Sequence, residues 1–253
     1  MSISAGDAAF LVAAGVVAGT TGTAGGIASL VSYPALLAVG IAPFAANVTN
    51  AVALVTTGAG AAFSSQAELA GQRGRLRAWA PLAVAGGVGG AALLLATPRG
   101  VFDWVVPFLV AAASLLLIVQ PRVARWHASR PRRGTGPAVL AGVAGVSVYS
   151  GYFGAGAGIL ILAVLLVLAE RDLARANALK NVLLMIADLT PAVIFALFGP
   201  VQWVAAISLA VGSLVGGLIG PHITRRAPSA ALRLAIAMCG LALTGWLFAQ
   251  AAG

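Results

Sequence analysis

The chain has 253 residues, of which 60% are hydrophobic and only 8% are charged, and its mean hydropathy is +1.01. Soluble domains carry about 25% charged residues, so this composition excludes a water-facing surface and with it an ordinary soluble enzyme. The net charge of +9 comes from basic residues in short loops rather than from a stripe with interleaved aromatic residues, which argues against a nucleic-acid partner.

Apolar runs between charges, prolines and glycines define eight segments, and a helix needs roughly twenty such residues to cross a bilayer. The segments cover residues 8–32, 45–64, 78–97, 101–120, 138–168, 177–198, 201–222 and 231–250. Open sheet edges are not tolerated in lipid, and the residue alternation of barrel strands is missing. The sequence therefore predicts an all-α polytopic membrane protein with about eight transmembrane helices.

The stretch 121–137 is rich in arginine and proline and predicts a basic hinge loop. It separates an N-terminal four-helix repeat, residues 1–120, from a C-terminal four-helix repeat, residues 138–253. Two sequence blocks recur in the two halves. GTTGTAGGI (19–27) aligns with GYFGAGAGI (151–159), and AANVTNAVALV (45–55) aligns with RANALKNVLLM (175–185). Such duplication is typical of transporters with two-fold pseudosymmetry.

The glycines of segments 1 and 5 predict that both helices break near the middle of the membrane. Each interior glycine lowers helix propensity by about 1 kcal/mol relative to alanine. A break exposes backbone N–H groups and the positive end of a half-helix, which together can bind an anion. The alternative is that Gly22, Gly26, Gly154 and Gly158 only allow close helix packing, and the sequence leaves both interpretations open.

Segment 6 has a polar face formed by Asn177, Asn181 and Asp188, with Lys180 beside it. Lys180 is the only lysine, and Asp188 lies deep enough for an unpaired charge to cost at least about 2.5 to 3.5 kcal/mol. We expect Lys180 to supply positive charge to an anion site, and Asp188 to neutralise a cation or relay a proton. An interfacial Lys180 that reaches the head groups is the alternative.

These patterns define a predicted site. The substrate-binding candidates are Thr23, Gly25, Gly26, Asn47, Asn50, Tyr152, Gly154, Gly156, Asn177, Lys180 and Asn181, and Asp188 is the candidate for coupling or proton relay. Asn47 and Asn50 could instead bond to neighbouring helices, a contact worth about 0.6 kcal/mol on average. No catalytic motif, cofactor motif or metal-ligand spacing is present, so the sequence predicts no enzymatic activity, no cofactor and no metal.

Four stretches together carry a family resemblance: GTTGTAGGIASLVSYPALL (19–37), SGYFGAGAGILIL (150–162), RANALKNVLLMIADLTPAVIFALFGPVQW (175–203) and GSLVGGLIG (212–220). With these stretches the chain resembles the sulfite exporter TauE/SafE family of bacterial membrane proteins. The resemblance implies an inner-membrane permease of two similar halves that moves sulfur-containing anions. The chain departs from the family at Asp188, where an uncharged residue, often Asn, is expected, and this leaves coupling and substrate open.

The sequence thus predicts a secondary transporter that moves a small anion such as sulfite or an organosulfonate across the bacterial inner membrane by alternating access. One alternative is a cation or metal carrier that uses Asp188. Another is a non-transporting membrane subunit that anchors a partner through its basic loops. The expected partners are the anionic substrate and the lipid bilayer. The sequence leaves open whether the chain forms a homodimer.

Overall fold

A computed structural model describes residues 3–127, 136–170, 172–224 and 230–252, and in these ranges the chain folds into eleven helices and no strand. The helices are α1 (Ala5–Gly25), α2 (Ser29–Ala38), α3 (Pro43–Ser64), α4 (Gln66–Leu69), α5 (Arg73–Ala96), α6 (Arg99–His127), α7 (Pro137–Tyr152), α8 (Ala157–Leu168), α9 (Leu173–Phe198), α10 (Trp203–Thr224) and α11 (Ala230–Ala252). Residues 121–127 of the predicted hinge belong to α6, and residues 128–135 lie outside the described residues.

Five helices of the described chain are long and apolar enough to cross a membrane. These spans are Ala5–Gly25, Arg73–Ala96, Arg99–Val119, Leu173–Phe198 and Trp203–Gly220. Large apolar side chains point outward, and Phe63 and Phe198 are 70% and 75% exposed. Such a surface suits lipid rather than water. The prediction of an all-α, polytopic membrane protein is confirmed.

Local sequence signals explain several helix ends. The Ser4 hydroxyl accepts a hydrogen bond from the Asp7 amide at 3.1 Å, and the Asp7 carboxylate accepts one from the Ser4 amide, which is a capping box. The Asp172 carboxylate caps α9 by accepting from the Arg175 amide at 2.9 Å. Helix α2 continues past Pro34 to Ala38, although segment 1 was expected to end at residue 32. Burial of Leu36 and its neighbours outweighs the helix-breaking tendency of that proline.

Glycines bring two pairs of helices into close contact. In α1, a Cβ added to Gly15 or Gly19 would come within 2.9 Å of a backbone nitrogen of α10. Between α5 and α7, a Cβ added to Gly90 would come within 2.8 Å of the backbone of Gly151. Backbones can approach this closely only where side chains are absent. These glycines therefore serve close helix packing, and they are different from the four glycines for which the sequence left packing open.

The packing order places α3 and α9 at the centre. Helix α10 packs against α1 and α3, whereas α5 packs against α7 and α9. Helices α3 and α9 contact each other, and α6 pairs with α11. The short helices α2 and α8 contact α11 and α6, respectively. The amino ends of α2 and α8 line one cavity together with residues of α3 and α9.

Candidate functional site

The first interruption separates α1 from α2. Helix α1 ends at Gly25, and Gly26 then adopts a left-handed conformation with φ of 75° while its amide donates to the Gly22 carbonyl at 2.7 Å. Helix α2 begins three residues later, at Ser29. A Cβ at Gly26 would lie 2.6 Å from the Cα of Gly158, so only glycine fits in both conformation and space.

The second interruption separates α7 from α8. Helix α7 ends at Tyr152, and Gly154 and Gly156 are left-handed with φ of 77° and 76° before α8 begins at Ala157. Gly158 in the first turn of α8 packs on Gly26, since its Cβ would lie 2.7 Å from the Gly26 carbonyl oxygen. The two interruptions therefore meet backbone to backbone.

Side chains of α9 cap the carbonyl end of α1. The Lys180 Nζ donates to the carbonyls of Gly22 and Thr23, both at 3.1 Å, and the Asn177 Nδ2 donates to the Thr23 carbonyl at 2.9 Å. Lys180 is 0% exposed. The carbonyls of a last helical turn have no partner within the helix, so the bonds from Lys180 and Asn177 satisfy the Thr23 carbonyl and add a second donor to the Gly22 carbonyl, which also accepts from the Gly26 amide.

A side chain of α3 caps the end of α7 in the reciprocal way. The Asn47 Nδ2 donates to the carbonyl of Tyr152, the last residue of α7, at 3.0 Å. One turn further along α3, Asn50 accepts from the Ser32 hydroxyl and donates to the Ser29 hydroxyl at 3.2 Å. Helix α3 therefore contacts both interruptions, at the end of α7 and at the start of α2.

A cavity of about 80 Å³ lies between α3 and α9 and reaches the two interruptions. From α1, α2, α7 and α8 it is lined by Gly22, Thr23, Gly26, Ala28, Ser29, Ser150, Phe153, Gly154, Ala157 and Gly158. From α3 and α9 it is lined by Asn50, Ala51, Leu54, Thr57, Gly58, Asn181, Leu184, Met185, Asp188 and Pro191. One water needs roughly 10 to 15 Å³ on this measure, so the cavity has room for a few waters or one small solute.

The structure brings half of the predicted site residues to the cavity. Those that line it are Thr23, Gly26, Asn50, Gly154, Asn181 and Asp188. Those that do not are Gly25, Asn47, Tyr152, Gly156, Asn177 and Lys180. Gly25 is the last residue of α1 and Gly156 precedes α8, while Asn47 and Tyr152 bond to each other. The second group surrounds the interruptions, one layer behind the cavity wall.

Two polar side chains in the wall have distinctive surroundings. Asp188 is the only charged residue among the described residues that line the cavity, and its Oδ1 accepts from the Ser150 hydroxyl at 2.6 Å. Asn181 is 5% exposed, and its Nδ2 finds no hydrogen-bond partner in the described part of the chain. A buried donor without a partner costs about 1 to 3 kcal/mol, which makes Asn181 a candidate ligand contact.

Sequence reasoning missed three hydroxyl residues of the wall, Ser29, Thr57 and Ser150. Ser29 and Ser150 stand immediately beside the two glycine motifs, and that position was the available signal. Thr57 lies two turns beyond Asn50 on the same side of α3, where helical periodicity could have found it.

Comparison with known proteins gives one family and one relative. The profile of the family described as Sulfite exporter TauE/SafE matches residues 8–247. A Sinorhizobium protein described as Probable membrane transporter protein ORF9 is 29% identical over 219 residues, which cover 84% of this chain and 81% of that protein. No solved structure matches the chain significantly. The family match includes both interruptions and the whole of α3 and α9.

Proposed function

The chain belongs to the sulfite exporter TauE/SafE family, and from that premise we propose that it is a secondary transporter for a small sulfur-containing anion, such as sulfite or an organosulfonate. It would carry this anion across the bacterial inner membrane by alternating access. The observation that carries the proposal is the cavity where the amino ends of α2 and α8 meet. The family resemblance read from the sequence is confirmed by the match.

The amino ends of α2 and α8 supply donors suited to an oxyanion. Within α2 the first backbone hydrogen bonds are donated by Leu30 and Val31, so the preceding amides take no part in the helical ladder. Ala28 and Ser29 of this end line the cavity, as do Ala157 and Gly158 at the start of α8, where the Ala157 amide already donates to the Gly154 carbonyl at 3.0 Å. Helix amino ends carry partial positive charge, and oriented N–H groups bind anions there without a cationic ligand.

The volume of the cavity supports a small substrate. At about 80 Å³ it admits an ion with a few oxygens around one sulfur, and it excludes a nucleotide or a sugar in this conformation. Hydroxyl and amide groups of Ser29, Thr57 and Asn181 surround the space. Such groups adapt to oxygens arranged around a central atom because each can turn its donor toward the ligand.

We further propose that the chain forms eight crossings in two related halves, 1–120 and 138–253, joined through the basic stretch 121–137, of which residues 121–127 continue α6. The packing of α10 on α1 and α3 has its counterpart in the packing of α5 on α7 and α9. Gly26 packs on Gly158, its own counterpart at an offset of 132 residues. In this arrangement α1–α2 and α7–α8 are the two interrupted crossings.

This packing refines how alternating access would work. Because α5 packs on α7 and α9, and α10 packs on α1 and α3, one helix of each half belongs to the bundle of the other. The bodies that move would be α1, α3 and α10 on one side and α5, α7 and α9 on the other. They meet along α3 and α9, where the cavity lies, so a tilt at this contact would open it to either side.

Asp188 is the proposed coupling residue. A carboxylate in the same cavity as an anion repels it, and this repulsion disappears when a proton neutralises the carboxylate. Binding of the anion and of a proton would then favour each other. The same residue supports the second candidate function, a cation carrier. The described residues hold no group of three His, Cys, Asp or Glu side chains that could bind a metal ion.

Flux through purified protein tests the proposal. Proteoliposomes loaded with sulfite, thiosulfate, sulfate or methanesulfonate should release at least one of these anions faster than protein-free vesicles. Divalent cations in parallel vesicles test the second candidate. If no anion leaves the proteoliposomes faster than it leaves protein-free vesicles, the proposal is wrong. Flux of cations alone would favour the cation carrier. Absence of any flux would favour the anchoring subunit.

A further inference from the structure

The two interruptions share their backbone geometry but differ in charge. We propose that the anion occupies only the α1–α2 interruption, at the amino end of α2, and that Lys180 directs it there from behind the wall without contacting it. The inference rests on the proposed function and adds to it the position of the anion subsite. It also makes Lys180 a positioning residue rather than a ligand.

The contacts of Lys180 exclude a direct role in this conformation. Its ammonium group is fully buried and donates to the carbonyls of Gly22 and Thr23. Gly22 and Thr23 line the cavity, whereas Lys180 does not. The last turn of α1 therefore lies between the ammonium group and any solute in the cavity.

The charge of Lys180 changes the balance at this interruption. A helix carries roughly half a positive charge at its amino end and half a negative charge at its carbonyl end. The carbonyl end of α1 and the amino end of α2 are separated by Gly26 to Ala28, so alone they would largely cancel. A protonated Lys180 would outweigh the carbonyl end of α1 and leave the start of α2 positive.

The other interruption has the opposite balance. The end of α7 is capped by the neutral amide of Asn47 instead of an ammonium group. The last turns of α7 also hold Ser150, whose hydroxyl donates to the Asp188 carboxylate at 2.6 Å. The Asp188 carboxylate thus lies beside the end of α7 and lines the same cavity as the start of α8, so its negative charge would repel an anion on that side. The second interruption is therefore unfavourable for an anionic solute and suited to a proton or a cation.

Asn181 supplies a second, independent indication of a ligand. It follows Lys180 on α9, lines the cavity and is 95% buried, and its Nδ2 has no partner among the described residues. Ser29, at the start of α2, lines the same cavity. An oxyanion between Ser29 and Asn181 would satisfy the unpaired amide. The expected ligand chemistry is a small anion with several acceptor oxygens.

Anions of different charge test the role of Lys180. We would measure binding of methanesulfonate, with one negative charge, and sulfate, with two, to purified wild-type protein and Lys180→Gln. An effect transmitted through space doubles in free energy when the charge doubles, so we expect losses of about tenfold and about a hundredfold, respectively. Equal losses for both anions would show that the charge of Lys180 does not act on the anion, and unchanged affinities would indicate a purely structural role. Either result overturns the inference.

Two further variants keep the test decisive. Arg77→Gln removes the same charge from an exposed position at the start of α5, where water and salt screen it, and should leave both affinities within about twofold of wild type. If Lys180→Gln does not fold, the near-isosteric Asn181→Asp should abolish anion binding, and wild-type affinity in that variant contradicts the inference. If wild-type protein binds neither these anions nor sulfite, the proposed function itself fails and the subsite with it.

Discussion

The α1–α2 and α7–α8 interruptions have the same backbone geometry and differ in the charges around them. Both have left-handed glycines, both meet at the Gly26–Gly158 contact, and each is capped by an asparagine of a long central helix. The charged residues Lys180 and Asp188 are both on α9 and have neutral counterparts, Asn50 and Gly58, at an offset of 130 residues on α3. The backbone design is thus shared, and the charge is not.

This difference separates two physical tasks. The shared backbone leaves a cavity at the junction, and in our proposal the unequal charges decide which side of it an anion prefers. Symmetric geometry suits interconversion between an inward-facing and an outward-facing conformation. Asymmetric charge suits the binding of two different ions, an anion and a proton. Four sets of substitutions test this difference between the two interruptions, in order of decreasing expected effect.

Substitution at the glycine contact should break both interruptions together. Gly26→Ala places a Cβ against Gly158 and forces alanine into a left-handed conformation, so we expect a loss of roughly 2 to 5 kcal/mol in stability. Gly89→Ala is the matched control, because nothing lies within 4 Å of its added Cβ. Thermal denaturation in detergent should show a marked loss for Gly26→Ala and none for the control. Equal stability of the two variants would mean that the Gly26–Gly158 contact does not contribute to the stability of the fold.

Removal of the Asp188 charge should affect coupling more than binding. In wild-type protein a proton must accompany the anion. We therefore expect anion flux to rise as the pH falls through the range where the carboxylate titrates, by up to about tenfold per pH unit. Asp188→Asn keeps the shape and accepts the Ser150 hydrogen bond, so its flux should become independent of pH. Flux assays in proteoliposomes over a pH series check this. A variant that keeps the wild-type pH profile would remove Asp188 from the coupling role.

The two asparagine caps should differ in importance. Asn47→Ala removes the side-chain donor of the Tyr152 carbonyl, at a cost of about 2 kcal/mol. Asn177→Ala should cost only about 1 kcal/mol, because the Thr23 carbonyl retains its bond from Lys180. Denaturation of the two variants side by side measures the difference. The reverse order would show that Lys180 does not support the end of α1.

The smallest expected effect distinguishes the two serines. Ser29→Ala removes a donor from the proposed anion subsite and should weaken anion binding about fivefold, as expected for one hydrogen bond of about 1 kcal/mol. Ser150→Ala removes the partner of Asp188 and should alter the pH profile of flux more than anion affinity. Titration of both proteins with the same anion checks this. A larger affinity loss in Ser150→Ala would place the anion at the other interruption.

Several features of the fold were predictable because they depend on local chemistry. Apolar length locates the long helices, and the glycine motifs coincide with the ends of α1 and α7. Helical periodicity placed Asn177, Lys180 and Asn181 near one face of α9. The end of α2 was not predictable in this way, because the effect of Pro34 depends on how the residues around it are buried.

The long-range contacts were out of reach of the sequence alone. Lys180 bonds to carbonyls 157 and 158 residues away, and no local pattern indicates which helix end it faces. For the same reason its position behind the wall differs from the expected place in the site, and Ser150 was not recognised as the partner of Asp188. The crossing of α5 and α10 into the opposite bundles also arises only from tertiary packing.

The most direct test of the account is to locate a bound anion. Crystals of the detergent-solubilised protein would be grown with selenate, an anomalous scatterer that resembles sulfate. An anomalous difference map would then show where the ion lies. The account predicts one site in the cavity, with selenate oxygens about 3 Å from the Asn181 Nδ2 and the amino end of α2. Selenate bound to the Lys180 ammonium group, or beside Ser150 at the end of α7, would contradict it.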